Sequence, residues 1–199
     1  MSQTVLVEQQ PERPPRFKFS REAYQQMAQL GLFEGKRVEL IEGEVIEMPP
    51  STPEHFETGD TLDEILEAYF GKGYWVRFQG DLVLGESQPT PDIAVVQGER
   101  REYKGRHPSQ ALLVVEVAYT SLHYDRTDKL SLYAKAGIPE YWIVNLQEKQ
   151  LEVYREPVPR EEMPFGYGYA QTTILRAGDT VHPLAKPEPG IPVSAILEG

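Results

Sequence analysis

Two short apolar runs each carry one acid: Pro91-Asp92-Ile93-Ala94-Val95-Val96 and Leu112-Leu113-Val114-Val115-Glu116-Val117-Ala118. Both are rich in β-branched residues and read as strands. A carboxylate buried in such a run without a partner is costly; two of them, one per strand, could converge on a shared cation. If the strands are neighbours, Asp92, Glu116 and the main-chain carbonyl of Val117 would offer hard oxygen ligands of the kind Mg2+ takes, with waters filling the other positions. An ion held in this way lowers the pKa of a bound water and neutralises charge on a phosphoryl group.

A lysine nearby would steady a developing anion or orient the attacking water. Lys129 is the candidate, about one turn into a helix expected over residues 125–136. The same spacing fits an ordinary Asp125–Lys129 surface pair at i,i+4, worth roughly 0.2–0.5 kcal/mol. Between the two acidic strands runs a polar loop, Gln97 to Gln110, with Arg100, Arg101, Lys104 and Arg106. Four of the chain's 20 Lys and Arg fall within its positions 100–106. That clustering reads either as a solvated loop or as a phosphate-contacting loop beside the site.

The elements that must position these residues follow from periodicity and punctuation. Residues 1–16 are polar and proline-bearing and read as a flexible arm, leaving 17–199 as a single domain. Ser20 caps a helix carrying Tyr24 and Met27 that stops at Gly31, and residues 37–48 alternate about Glu42-Gly43 as a β-hairpin. Glu39, Glu42, Glu44 and Glu47 cannot all face the core, because strand side chains alternate. A loop with His55 leads to an amphipathic helix expected from Gly59 to Gly71. Residues 140–145 and 150–154 form another strand pair, and residues 155–199 form a proline-rich extension packing on the domain. The fold class is α/β, a mixed central sheet flanked by helices with an added N-terminal helix and hairpin.

Composition limits the partners. A formal net charge of −11 argues against coating nucleic acid by bulk charge. With no cysteine there is neither a disulfide nor a thiolate metal site. The first residues lack the basic and apolar regions of a signal peptide, and no apolar run is long enough to span a bilayer, so the expectation is a cytoplasmic protein without a membrane partner.

The chain resembles the Uma ("Uma two") family of restriction-endonuclease-like proteins. The resemblance rests on Val38 to Glu44 with Met48-Pro49-Pro50, on His55, on Pro91 to Val96 and on Val114 to Thr120. Its most specific part is Tyr124-Asp125-Arg126-Thr127-Asp128-Lys129-Leu130, continuing through Tyr133 to Val144. It implies the PD-(D/E)XK nuclease fold, in which an Asp and a Glu bind magnesium and a lysine sits two residues after the Glu. Here that position is Ala118; the resemblance implies that the lysine has moved to the next helix, as Lys129, into room left by the small Ala118. It also implies that Glu44 and His55 line the site. Tyr119 stands where the family often has a more polar residue.

The function expected is a Mg2+-dependent endonuclease, with Mn2+ able to substitute, cutting phosphodiester bonds of nucleic acid, DNA foremost, and working as a homodimer. The alternatives are a non-catalytic scaffold that kept a nuclease fold and a metal-dependent phosphohydrolase of small nucleotides.

Overall fold

The computed structural model describes residues 15–198; the expected arm lies almost wholly outside them. Ser20 caps α1 (Arg21–Gln29), its hydroxyl accepting the Ala23 N–H at 3.2 Å. Strands β1 (Val38–Ile41) and β2 (Glu44–Glu47) form a separate two-stranded hairpin. Its turn residues Glu42 and Gly43 have φ of 50° and 82°, the left-handed pair that a tight hairpin needs. Glycine is required at 43 for a second reason: a Cβ there would lie 2.8 Å from Lys18 Cβ.

The helix expected from Gly59 begins earlier. α2 runs Pro53–Phe70, with Thr52 accepting the His55 N–H and Pro53 in the first turn. The Thr-Pro pair is a start signal that the apolar stripe alone does not reveal. This extension places His55 on the first turn of a helix instead of in a loop. α2 buries Leu62, Leu66 and Phe70 against the sheet, each such side chain contributing roughly 1.5–3 kcal/mol. It lies so close to the strand formed by Tyr74–Phe78 that a Cβ on Gly59 would come within 2.9 Å of the Phe78 ring.

Six strands make the central sheet in the order β3-β4-β5-β6-β7-β8. They are β3 (Tyr74–Phe78), β4 (Ile93–Gln97), β5 (Leu113–Ala118), β6 (Glu140–Asn145), β7 (Gln150–Pro159) and β8 (Tyr167–Leu175). Only β5 and β6 pair in parallel; the other neighbours are antiparallel, so the sheet is mixed. Every residue of β5 and β6 is buried, which explains why they are apolar except for Glu116 in β5 and for Glu140 and Asn145 at the ends of β6.

On one face lie α2 and the terminal α5 (Val193–Leu197), with the two-residue strands β9 (Thr180–Val181) and β10 (Ile191–Pro192). On the other lies the segment after β5: α3 (Leu122–Tyr124), a single π turn (Asp125–Lys129) and α4 (Leu130–Lys135). In that turn the Leu130 N–H reaches back five residues to the Asp125 carbonyl, which also accepts the Tyr141 hydroxyl at 3.1 Å. One continuous α-helix over residues 125–136 is therefore corrected to a π turn followed by α4. Such turns recur at functional sites.

Candidate active site

The β4–β5 ladder stops at Ile93–Val115. Pro91 has no N–H to extend it, and past this point the two carboxylates bridge the strands. Glu116 Oε2 accepts the Asp92 N–H at 3.2 Å, and Asp92 Oδ2 accepts the Val117 N–H at 2.8 Å. The sequence needs an acid on each strand here because side-chain oxygens replace main-chain acceptors where the strands part. The parting opens a cavity of about 50 Å3, lined by Asp92, Glu116, Val117, His55 and Lys129 among others.

Alternation along β5 puts Val114, Glu116 and Ala118 on the face covered by α3 and α4, and Val115 and Val117 on the face covered by α2. Lys129 reaches Glu116 from the first face. Its Nζ donates to Glu116 Oε1 at 3.1 Å and lies 2.6 Å from Glu39 Oε2. The Tyr133 hydroxyl, one turn on, donates to the same Glu116 oxygen at 2.6 Å. Asp125 is buried beside them, its carboxylate accepting the Ser121 hydroxyl at 2.6 Å. The surface pair between Asp125 and Lys129 does not form: both residues are buried, and the lysine is committed to Glu39 and Glu116. From the second face α2 brings His55, whose Nε2 lies 3.2 Å from Asp92 Oδ2.

The charge balance is lopsided. Glu39, Asp92, Glu116 and Asp125 are each no more than 5% exposed, and the one buried ammonium among them is Lys129. Burial, with Asp92, Asp125 and Glu39 adding repulsion that Lys129 only partly offsets, pushes Glu116 up to about 8. Burial and the neighbouring carboxylates likewise push Asp125 up to about 7, against the Ser121 hydrogen bond and Lys129. Burial works against the charged form of Lys129, but Glu116 and Glu39 raise it strongly, so the ammonium persists. At His55 the hydrogen bond and charge of Asp92 outweigh burial and raise the imidazole.

Such a cluster is short of positive charge and fits a hard cation. Asp92 Oδ1 accepts no hydrogen bond among the described residues. No set of three or more His, Asp or Glu side chains there is arranged to hold a metal ion. Asp92 and Glu116 are the carboxylates that would meet a magnesium ion, which binds through one or two carboxylates and keeps much of its hydration shell.

Two expectations fail. Glu44 is not in the cavity: it shares a face of the hairpin with Glu39 but lies two residue pairs nearer the turn, opposite Ile41, and pairs with Arg16 at 2.7 Å. Glu39 takes the inward place. The basic loop is also misplaced. β4 and β5 are antiparallel, so the segment joining them lies at the end of the strands away from Asp92 and Glu116. Arg100, Arg101, Lys104 and Arg106 are exposed there, the first two in a short 3-10 turn, and none lines the cavity. Glu39, Asp125 and Tyr133 were missed as site residues; the i,i+4,i+8 series Asp125, Lys129, Tyr133 was the signal available for two of them.

Comparison with known proteins agrees with this architecture. The crystal structure of a "putative nuclease belonging to DUF820" from Anabaena variabilis ATCC 29413 superposes with a TM-score of 0.62 at 15% identity, over 82% of this chain and 90% of that one. No curated protein matches the chain. The Uma2 family model, described as "Putative restriction endonuclease", matches residues 21–194. With that match covering most of the chain, on a nuclease-like fold whose buried acids meet where two strands part, the protein belongs to the Uma2 family.

Proposed function

We propose that the chain is a Mg2+-dependent endonuclease that hydrolyses phosphodiester bonds of nucleic acid, with DNA as its substrate. One observation carries the reading: four buried carboxylates converge on a small cavity with a single ammonium among them. Asp92 and Glu116 would hold the ion, with the main chain of Val117 beside them. When bound, magnesium would supply an activated water and offset phosphoryl charge.

The chain's own groups do the rest. Lys129 and Tyr133 fix one Glu116 oxygen and leave the other facing Asp92. Lys129 presents positive charge toward an anion forming in the cavity. His55, beside Asp92, is the group able to exchange a proton near neutral pH.

The test is cleavage of single- and double-stranded DNA and RNA with Mg2+ or Mn2+, run beside an Asp92→Ala control. Cleavage by the wild type alone supports the assignment. Equal cleavage by both proteins means contamination and removes it. No cleavage, with no metal binding by calorimetry, leaves the non-catalytic scaffold that the −11 charge favours.

A further inference from the structure

The catalytic cavity, at about 50 Å3, has room for roughly three to five waters and none for a nucleotide. A cleft of about 320 Å3 opens beside it, between α1, β1 and the residue following β3. The two share Arg37, Glu39, Met48 and Thr90 in their walls and so form one depression. The cleft reaches the low end of the roughly 300–1,000 Å3 range of small-ligand sites.

Three features of its wall suit a ligand. Gln79 holds φ at 45°, a left-handed backbone that side chains other than Gly, Asn and Asp seldom adopt, and its N–H donates to the Asp92 carbonyl at 2.8 Å. Among the described residues its side-chain amide has no hydrogen-bond partner, although it lines the cleft. Strain kept next to a catalytic carboxylate is a mark of function. Arg37 is exposed at the junction of cleft and cavity, bonded to the Ser51 hydroxyl, with no carboxylate of the described residues within ion-pair distance. Tyr24 and Phe33, with ring centroids 5.4 Å apart, supply an aromatic wall.

We propose that this cleft is a nucleotide subsite: it takes one unstacked nucleotide of a single-stranded nucleic acid, with Arg37 on the phosphate and the Gln79 amide on the base edge. The proposal rests on the nuclease reading and adds the form of the substrate. A duplex would need a row of phosphate contacts, yet among the described residues Arg37 is the one exposed cation lining the catalytic cavity, Lys36 in the cleft wall is paired with Glu47 at 2.8 Å, and the basic loop lies at the far end of the strands. A single strand can instead offer an unpaired base to an aromatic wall and an amide.

The test uses the full chain carrying Asp92→Asn, so that nucleic acid stays uncut, with Mg2+ present. Binding of a fluorescein-labelled oligodeoxynucleotide of about six residues is followed by anisotropy, as single strand and as duplex. The single strand should bind about tenfold tighter than the duplex, and Arg37→Gln or Gln79→Gly should each weaken it about tenfold. Glycine adopts the backbone of position 79 without strain, so Gln79→Gly should stay folded, as a thermal melt checks. Gln79→Asn, which tolerates that backbone and keeps an amide, should weaken binding less.

Single-strand affinity unchanged in both variants overturns the subsite, as does a preference for duplex or no binding of the single strand. Parallel cleavage assays in the Asp92 background separate the two readings. Cleavage with variant-insensitive binding leaves the nuclease and removes the subsite. Variant-sensitive binding without cleavage keeps the subsite and removes the nuclease.

Discussion

Two buried carboxylates, Glu152 on β7 and Glu116 on β5, have opposite surroundings. Glu152 receives Arg126 through Nε at 2.9 Å and Nη2 at 2.5 Å, Asn145 at 2.8 Å, Gln150 at 3.2 Å and the Tyr154 hydroxyl at 2.7 Å. Burial alone would raise its pKa, but the hydrogen bonds from Arg126, Tyr154, Asn145 and Gln150 overcome this and hold it at about 2. Glu116 shares one lysine with Glu39, sits among like charges, and is pushed up to about 8. Both acids accept hydrogen bonds; what differs is charge, since Glu152 has a guanidinium held in two bonds, whereas Glu116 shares its one ammonium and faces three like charges. The contrast also explains why neither acid could be assigned by burial alone, since both are nearly fully covered.

The comparison breaks first at Lys129. Lys129→Met leaves four buried carboxylates with no ammonium, and should cost about 3–5 kcal/mol in urea unfolding and abolish cleavage. A loss under about 1 kcal/mol would mean that the acids are protonated and the cluster was never charged. Asp92→Asn should lower cleavage on the order of a thousandfold yet leave the melting temperature at pH 8 unchanged or higher, because it removes one of the repelling charges. A large drop in melting temperature would place Asp92 with the braced kind of acid. Glu152→Gln should do the reverse, losing about 2 kcal/mol of stability and keeping cleavage; loss of cleavage at unchanged stability would erase the distinction.

pH sharpens the contrast. Folded Glu116 and Asp125 keep protons that the unfolded chain loses near pH ~4. Their contribution to stability therefore declines as pH rises from there toward about 8 and about 7, respectively. Added Mg2+ should raise the melting temperature more at pH 8 than at pH 6, by on the order of 5 °C. The Glu152 contribution has the opposite sign: it is present above the unfolded value and lost as pH falls toward about 2. Melts at pH 3, 5, 6 and 8 with and without the metal read both arms, and a metal effect that is larger at pH 6 than at pH 8 contradicts the charge deficit at the site. The smallest effect belongs to Glu44→Gln, at most about 0.5 kcal/mol, because its partner is the exposed Arg16.

The sheet strands and the pairing of Asp92 with Glu116 were legible because burial on both faces leaves β4 apolar up to its exposed last residue Gln97, and β5 apolar except for Glu116. Lys129 was legible only through the family resemblance; spacing alone suited a surface pair equally well. The choice between Glu39 and Glu44 was not legible. Both lie on one face of the hairpin, and which of them reaches the cavity depends on how far along its length the hairpin docks. The basic loop misled for a simpler reason. Proximity in sequence to two site strands is not proximity to the site, and antiparallel pairing of those strands implies the opposite. At Thr52-Pro53 the start of α2 was written in the chain, and the apolar stripe drew attention past it.

The hairpin β1–β2 stands apart from the six-stranded sheet, yet it supplies Glu39. Main-chain bonds from Phe19 to Gly43 and from Gln88 to Leu40 latch it, together with the Glu42–Lys135 pair at 2.5 Å. Its opening would be a local unfolding event of lower free energy than loss of the whole fold. Each opening would remove one of the two acids that hold Lys129. The hairpin amides therefore report on the site: their hydrogen exchange should quicken when Lys129 is replaced, while the amides of β5 and β6 keep the protection of the global fold.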